Sequence, residues 1–133
     1  MNARGVVLDA SALVAYARNE PGAEVVAARL RAGEAVTVSS VNWAEVVGKL
    51  RQFGLAATVL RQALSAVDAR ISAFGEPDAD ATGELAGLPA GLSLSLGDRA
   101  CIALTLKLGA TAVTADRAWR EIAVPDLRVD LIR

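Results

Sequence analysis

Short apolar segments that each end in a small polar or acidic residue recur along this chain and constrain its fold most. Residues 5–9 (GVVLD), 34–40 (EAVTVSS) and 109–116 (GATAVTAD) have the length, the β-branched content and the abrupt ends of strands buried on both faces of a sheet. Weaker strand patterns occur at residues 71–77 and 127–132. The intervening segments have helical composition or periodicity: residues 10–19, 22–33, 41–54, 55–71, 77–88, 95–109 and, as a short turn, 117–122.

Strands that alternate with helices predict right-handed βαβ connections and therefore an α/β fold. We expect a mainly parallel central sheet flanked by helices on both faces. The length of 133 residues fits a single domain over residues 1–133. Because 53% of the residues are hydrophobic, apolar burial can offset the conformational entropy that the chain loses on folding.

Segment lengths and the cysteine content indicate the compartment. No apolar run reaches the roughly 18 residues that a transmembrane helix needs, and the N-terminal sequence MNARGVVLDAS lacks the long apolar core of a signal peptide. Cys101 is the only cysteine, so the chain has no internal disulfide, and a small hydrophobic residue would fit in its apolar surroundings. We therefore expect a soluble, cytoplasmic protein.

The chain contains no histidine, which excludes several kinds of catalytic site. Ser-His-Asp and Cys-His units, zinc sites built on histidine and a histidine general base are all ruled out, and carboxylates remain the best candidates for chemistry. The net charge of −1 and the pI of about 5.4 argue against a generic basic nucleic-acid binder, although they say nothing about local charge.

Four acidic residues occupy the positions where the chemistry of an α/β fold is found. Asp9 and Asp116 each end a predicted strand, Glu45 lies just inside the helix after the second strand, and Asp98 begins the most apolar helix. All four are expected at the edge formed by the carboxyl ends of the strands. Four clustered carboxylates repel one another, and a hard divalent cation such as Mg²⁺ or Mn²⁺ relieves that repulsion through oxygen ligands.

Helix capping is the competing explanation for each acid. Asp9 fits the N-terminus of the helix that begins near Ser11, and Asp116 fits the start of the turn at Arg117 or an ion pair with Arg120. With caps alone, the chain would be a non-catalytic α/β protein-interaction module whose apolar helices bind a protein.

The same alternative applies to the other two acids. Glu45 fits a capping box with Asn42 or an i, i+4 ion pair with Lys49. Asp98 fits a capping box with Ser95, three residues earlier. Saturable binding of Mn²⁺, or its absence, distinguishes a metal-dependent enzyme from an interaction module.

Four segments together resemble a known family. VVLDASALVAY, SSVNWAEV, LSLGDRACIALTLKLGA and TAVTADRAW, with their acids at positions 9, 45, 98 and 116, are similar to PIN-domain ribonucleases, specifically the VapC-type toxins of toxin–antitoxin pairs. LSLGDR followed by TADRAW, after an N-terminal LDASAL, is the most specific combination. The resemblance runs through nearly the whole chain and implies a PIN-like domain.

The resemblance implies a metal-dependent endoribonuclease that cleaves RNA with Mg²⁺ or Mn²⁺. Its acidic pocket would consist of Asp9, Glu45, Asp98 and Asp116, all of which this sequence retains. Asp9 and Asp98 would be metal ligands, Asp116 a further or water-mediated ligand, and Glu45 a ligand or the residue that orients the attacking water. The implied partners are an RNA substrate, a cognate antitoxin and a second copy of the chain in a homodimer.

Several neighbouring residues have two explanations at this stage. Ser11 and Thr114 flank the predicted site and are expected either to hydrogen-bond to its acids or to cap local turns. Arg99 and Arg117 each follow a site acid and either meet phosphate or are solvated at the surface. The helices at residues 41–71 carry more apolar surface than one side of a thin sheet needs, which fits either a partner interface or the core.

Overall fold

The computed structural model describes residues 4–89 and 94–133, and these residues form a five-stranded sheet and six α-helices. The strands are β1 (Val6–Leu8), β2 (Val36–Ser39), β3 (Arg70–Ser72), β4 (Thr111–Thr114) and β5 (Arg128–Leu131). The helices are α1 (Ala10–Arg18), α2 (Ala23–Arg31), α3 (Ser40–Gln52), α4 (Thr58–Ala66), α5 (Glu76–Glu84) and α6 (Leu96–Leu108). Short 3-10 turns occur at Leu85–Gly87 and Arg117–Glu121.

The sheet has the strand order β3-β2-β1-β4-β5, and all of its neighbouring strands are parallel. This confirms the predicted α/β fold with a parallel central sheet. The order reverses direction at β1, which lies in the centre, so that β2 and β4 flank it on either side. The carboxyl ends of these three strands therefore meet at the crevice where open α/β sheets bind their ligands.

Alternating side chains of β1 support helices on both faces of the sheet. Val6 and Leu8 pack into a core cluster that includes Leu13 of α1 and Val46 of α3. Val7 points to the other face and belongs to a second cluster, which holds Ile102 of α6 together with Trp119, Cys101 and Leu104. Since both faces are covered, the continuous apolar run of β1 has the composition expected of a fully buried parallel strand.

One helix is shorter than the sequence pattern predicts. We expected a helix over residues 55–71, but α4 ends at Ala66 and β3 begins at Arg70. Asp68 adopts a left-handed backbone conformation with φ of 57°, and the amides of Asp68 and Ala69 bond to the carbonyls of Ser65 and Leu64. This turn redirects the chain into β3, although the apolar periodicity continues.

The helices are of globular length. Within residues 4–89 and 94–133, no helix combines the length and the apolar character that crossing a bilayer requires. The most buried helix is α6, in which Gly97 and the run from Ala100 to Thr105 have little or no contact with solvent. Its N-terminus adjoins the carboxyl ends of the central strands, and this placement brings Asp98 to the crevice.

Candidate active site

Asp9 is the buried centre of the crevice. Its side chain follows β1 and is 5% exposed. The hydroxyls of Ser11 and Thr114 both donate to Oδ2 of Asp9, at 2.7 and 2.8 Å. Ser11 in turn accepts from the amide of Ala115 at 2.9 Å, and Thr114 accepts from the amide of Asp116 at 3.1 Å. The network ties the end of β1 to the end of β4 and holds the Asp9 carboxylate in one orientation.

Burial perturbs the ionisation of Asp9. The pKa of this carboxyl is raised from its ordinary value of 3.8 to about 6, chiefly by removal from solvent, and the negative charge of Asp98 contributes to this shift in the same direction. The hydrogen bonds from Ser11 and Thr114 oppose the shift because they stabilise the charged form. Asp9 therefore loses its proton near neutral pH, and a neighbouring cation would favour that loss.

The shift predicts how the stability of the metal-free protein depends on pH. Because the folded chain holds the Asp9 proton more tightly than the unfolded chain, the free energy of unfolding falls as pH rises from about 4 to about 6. The shift corresponds to a loss of about 3 kcal/mol. Urea unfolding in EDTA should show that the free energy of unfolding falls more steeply over this pH range in the parent than in the Asp9→Asn variant. Parallel curves for the two proteins would contradict the assignment.

Glu45 reaches the same edge from the first part of α3. Its Oε1 accepts a hydrogen bond from Nδ2 of Asn42 at 2.9 Å, and the same Nδ2 donates to the carbonyl of Gly97 at 2.9 Å. Asn42 is fully buried, and because both of these neighbours are acceptors its amide nitrogen must face them. A methyl group on Gly97 would collide with the Glu45 carboxylate. The hydrogen bond from Asn42 thus holds the Glu45 carboxylate against Gly97 in the first turn of α6.

Asp98 lies in that first turn. It forms a capping box with Ser95, in which Asp98 Oδ2 accepts from the Ser95 amide at 3.0 Å and Ser95 Oγ accepts from the Asp98 amide at 3.1 Å. Its charge nevertheless acts on Asp9, and on the buried thiol of Cys101, whose pKa is raised well above its usual value by burial first and then by nearby carboxylates. Asp98 therefore caps α6 and also faces the crevice.

Asp116 stands at the rim. It follows β4, its side chain is exposed, and its Oδ1 accepts from the amide of Ala118 at 3.0 Å. The side chain thereby caps the 3-10 turn that begins at Arg117. Its backbone amide is tied to Thr114, which links Asp116 to the hydrogen-bond network of Asp9.

Capping accounts for two of the four acids. It is confirmed for Asp98 and Asp116, whose side chains accept from backbone amides. It is wrong for Asp9, which makes no side-chain cap of α1, and for the proposed box of Asn42 with Glu45, because α3 is capped by Ser39. Asp9, which is buried, and Glu45, which is exposed, are instead positioned by hydrogen bonds from the side chains of Thr114 and Asn42.

The crevice gathers the acids without assembling a closed cage. In the described part of the chain, no three Asp, Glu or Cys side chains are grouped closely enough to hold a metal ion. Nor does any of Asp9, Glu45, Asp98 and Asp116 form a salt bridge within residues 4–89 and 94–133; the acids in salt bridges are Glu20, Glu34, Asp78 and Asp130.

The donors present fit a hard divalent cation. Mg²⁺ and Mn²⁺ prefer oxygen ligands, and Mg²⁺ is commonly held by one or two carboxylates together with water and substrate phosphate. Asp9 and Asp98 supply such a pair, and the charge of Asp98 raises the cost of ionising Asp9 as long as no positive charge lies between them. The four site residues remain a prediction, with Asp9 and Asp98 as the pair that electrostatics supports most directly.

The flanking residues divide between the site and the scaffold. The hydrogen bonds predicted for Ser11 and Thr114 are confirmed. Arg99 instead donates to the carbonyl of Thr82 at 3.1 Å and so fastens α6 to α5. Arg117 donates to the carbonyl of Arg133 at 3.3 Å at the surface.

Two positions of the site were missed by sequence reasoning. The sequence indicates only a capping role for Asn42 and gives no indication of a role for Gly97. The i, i+3 spacing of Asn42 and Glu45 on a helix indicates that their side chains can meet. The contact of both with Gly97, 55 positions after Asn42, has no local signal, since it depends on how α3 packs against α6.

Solved structures of toxin–antitoxin complexes share this fold. A toxin–antitoxin complex from Klebsiella pneumoniae contains a chain with a TM-score of 0.72 and 16% identity, covering 97% of this chain and 98% of that one. VapBC2 from Rickettsia felis, bound to a promoter DNA fragment, gives a TM-score of 0.67 and 18% identity, with 95% and 97% covered. DNA-bound VapBC from Salmonella typhimurium gives 0.64 and 16%, with 97% and 98% covered.

Sequence comparison gives the family. A comparison with curated proteins produced no match. The model of the PIN domain, by contrast, matches residues 6–125, which include β1, the crevice and all four acids. With the parallel sheet and the acidic crevice in the positions described above, this match shows that the chain belongs to the PIN domain family.

Proposed function

We propose that this chain is a metal-dependent endoribonuclease and the toxin of a type II toxin–antitoxin pair. The observation that carries the proposal is the buried Asp9 carboxylate, which two hydroxyls orient and which faces the charge of Asp98. No salt bridge neutralises either group within the described residues. Membership of a nuclease family and the similarity of the fold to VapBC chains support the same function.

The residues of the crevice have distinct roles in the proposed mechanism. Asp9 and Asp98 would hold the cation, and Ser11 and Thr114 keep Asp9 in place by donating to its Oδ2. When bound, Mg²⁺ or Mn²⁺ supplies a Lewis acid that polarises a phosphoryl oxygen and acidifies water.

Glu45 and Asp116 complete the mechanism. Asn42 occupies Oε1 of Glu45, so Oε2 is the atom available to orient the attacking water and to accept its proton. Asp116, at the rim, would contribute through water. No step needs a histidine, in accord with the composition of the chain.

A cavity bordered by exposed apolar side chains supports an antitoxin as the partner. Leu55 and Val59 are 43% and 76% exposed and border a cavity of about 510 Å³ between α1, α3 and α4. Such exposed apolar surface is typical of protein interfaces. Of the two aromatic residues between positions 41 and 71, Trp43 is buried beneath Arg61, whereas Phe53 is exposed. A homodimer in the cytoplasm remains part of the proposal.

Chelation tests the proposed activity. Total cellular RNA incubated with the purified chain and Mg²⁺ or Mn²⁺ should acquire new 5′ ends at defined positions. EDTA should stop cleavage, and excess Mg²⁺ or Mn²⁺ should restore it, because the carboxylates alone cannot supply a Lewis acid.

The same experiment separates the enzyme from a non-catalytic interaction module. A module would leave the RNA intact under all conditions and would show no saturable Mn²⁺ binding and no metal-dependent rise in melting temperature. Cleavage that persists in EDTA would contradict the metal mechanism.

A further inference from the structure

A groove extends from the carboxylate edge along α3. It has a volume of about 300 Å³ and is lined by Ser11 and Glu45 at one end and by Lys49 and Phe53 at the other. The groove therefore begins at two residues of the candidate active site and leads away from it. A chain whose phosphate lies at the carboxylates would have its next unit in this groove.

Helix geometry places three different kinds of side chain in a row along the groove. Glu45, Lys49 and Phe53 are spaced by four residues, and such positions share one face of a helix and are about 6 Å apart along its axis. From the active site outward, α3 and its C-terminal residue thus present a carboxylate, a cation and an aromatic ring.

The ring of Phe53 is stacked with the guanidinium group of Arg18. Phe53 is 43% exposed, and the guanidinium carbon of Arg18 lies 3.5 Å from the centre of its ring. Arginine stacks on aromatic faces and on nucleobases alike, because its guanidinium group is planar and weakly hydrated. Phe53 and Arg18 together form a flat, partly solvent-exposed surface of the kind on which unpaired bases stack.

Among the described residues, Lys49 is the cation of the groove that forms no salt bridge. Arg133, which also lines the groove, donates to the carbonyl of Pro21 and pairs with Glu20 at 3.7 Å. Lys49 forms no salt bridge with any residue in the ranges 4–89 and 94–133, and its Nζ lies 5.9 Å from the centre of the Phe53 ring. A phosphate next to a base stacked on Phe53 would be within reach of this ammonium group.

We propose that this groove is a subsite for the nucleotide adjacent to the scissile phosphate of single-stranded RNA. Lys49 binds the phosphate of that nucleotide, and Phe53 stacked with Arg18 receives its base. The inference rests on the proposed ribonuclease function and adds to it a requirement for an unpaired nucleotide. Because every base has a π-face, this subsite selects unpaired over paired nucleotides and discriminates little among the four bases.

Binding of a fluorescein-labelled single-stranded RNA of about eight nucleotides tests the subsite. Anisotropy is measured in EDTA, so that the RNA stays intact, at low salt and then over a series of increasing salt concentrations. Phe53→Ala should weaken binding about 10-fold, as expected for the loss of one base–aromatic stack, whereas Phe53→Trp should bind at least as tightly as the parent. A plot of the logarithm of the association constant against the logarithm of the salt concentration has a negative slope. Lys49→Gln should make this slope shallower by about 0.7, the value for one phosphate contact in a single strand.

Two variants outside the groove serve as controls. Leu108→Ala removes an exposed apolar side chain at the end of α6, and Arg51→Gln removes an exposed cation of α3; neither residue lines the groove. Both should bind RNA like the parent. If Phe53→Ala fails to fold, Phe53→Leu keeps the bulk of the side chain and removes only the flat ring, and it should lose affinity in the same way.

RNA probes with one abasic position identify the stacked base. At the position that occupies the subsite, loss of the base should weaken binding to the parent about 10-fold and leave binding to Phe53→Ala unchanged. Equal affinity of the parent and Phe53→Ala for every probe would overturn the subsite, as would a parent that binds none of them. Weakened binding of a protein partner by Phe53→Ala, with RNA affinity intact, would also overturn it in favour of a protein interface.

Failure of the subsite is distinguishable from failure of the proposed function. If the parent cleaves cellular RNA with metal while Phe53 and Lys49 variants bind RNA normally, the ribonuclease assignment stands and the subsite falls. If the parent neither cleaves nor binds RNA, both fall.

Discussion

Asp98→Asn is expected to abolish RNA cleavage and to weaken Mn²⁺ binding by more than about 100-fold. Loss of a residue that merely supports a metal ligand costs about 10- to 100-fold in affinity, so loss of a ligand costs more. The fold should survive, because the side-chain carbonyl of Asn can accept the hydrogen bond from the Ser95 amide that Asp98 Oδ2 accepts in the parent. Removal of the charge that raises the pKa of Asp9 should leave the metal-free protein as stable as the parent or slightly more stable.

Asp78→Asn is the matched control. Asp78 occupies the same position in α5 that Asp98 occupies in α6, and its Oδ2 accepts from the Gly75 amide at 2.8 Å. Asp78 pairs with Lys107, and within the described residues it shares no hydrogen bond with the acids of the crevice. Its substitution should leave cleavage and Mn²⁺ affinity unchanged. Isothermal titration with Mn²⁺ and gel assays of RNA cleavage measure both effects, and an Asp98→Asn protein that cut RNA at the parent rate would remove Asp98 from the metal site.

Gly97→Ala should disable the site while all four carboxylates remain in the chain. The added methyl group would occupy the space of the Glu45 carboxylate, which is the end of a flexible side chain and can rotate away. Once displaced, Glu45 loses the hydrogen bond from Asn42 that fixes it. We expect metal affinity, or the rate of cleavage at saturating metal, to fall about 10- to 100-fold, as for other residues that orient a metal site.

Gly48→Ala separates this effect from that of helix propensity. Gly48 lies within α3 and has open space around it, so Ala there adds only the roughly 1 kcal/mol by which Ala exceeds Gly in a helix. Both Ala variants should melt at or above the temperature of the parent, but only Gly97→Ala should lose activity. Normal cleavage by Gly97→Ala would mean that the observed placement of Glu45 is not required.

The order of strands and helices was predictable because local residue patterns indicate each element. The strand at residues 5–9 and the one at 109–116 are short, β-branched and sharply ended, and a parallel sheet follows from the helices between them. The positions of Asp9 and Asp116 follow from those of the strands, since Asp9 comes directly after β1 and Asp116 comes two residues after the end of β4. The end of α4 was missed because the left-handed turn at Asp68 interrupts the helix without interrupting its apolar periodicity.

The contacts within the site were not predictable from spacing. Ser11 and Thr114 are 103 positions apart, and their convergence on one oxygen of Asp9 depends on the pairing of β1 with β4. Likewise, the sequence does not distinguish Trp43 from Phe53 as apolar residues of α3 and its C-terminus. Packing buries Trp43 and leaves Phe53 exposed in the groove.

By itself, the sequence determined the class of the fold and excluded histidine chemistry. It also indicated which acids are expected at the carboxyl ends of the strands, because periodicity and residue type are local properties. Only the tertiary structure decided that Asp9 is buried, that Asp98 and Asp116 also cap α6 and the turn at Arg117, and that Asn42 holds Glu45 against Gly97. The reason is physical: the burial that raises the pKa of Asp9 and the close approach of α3 to α6 arise only when elements distant in the sequence pack against one another.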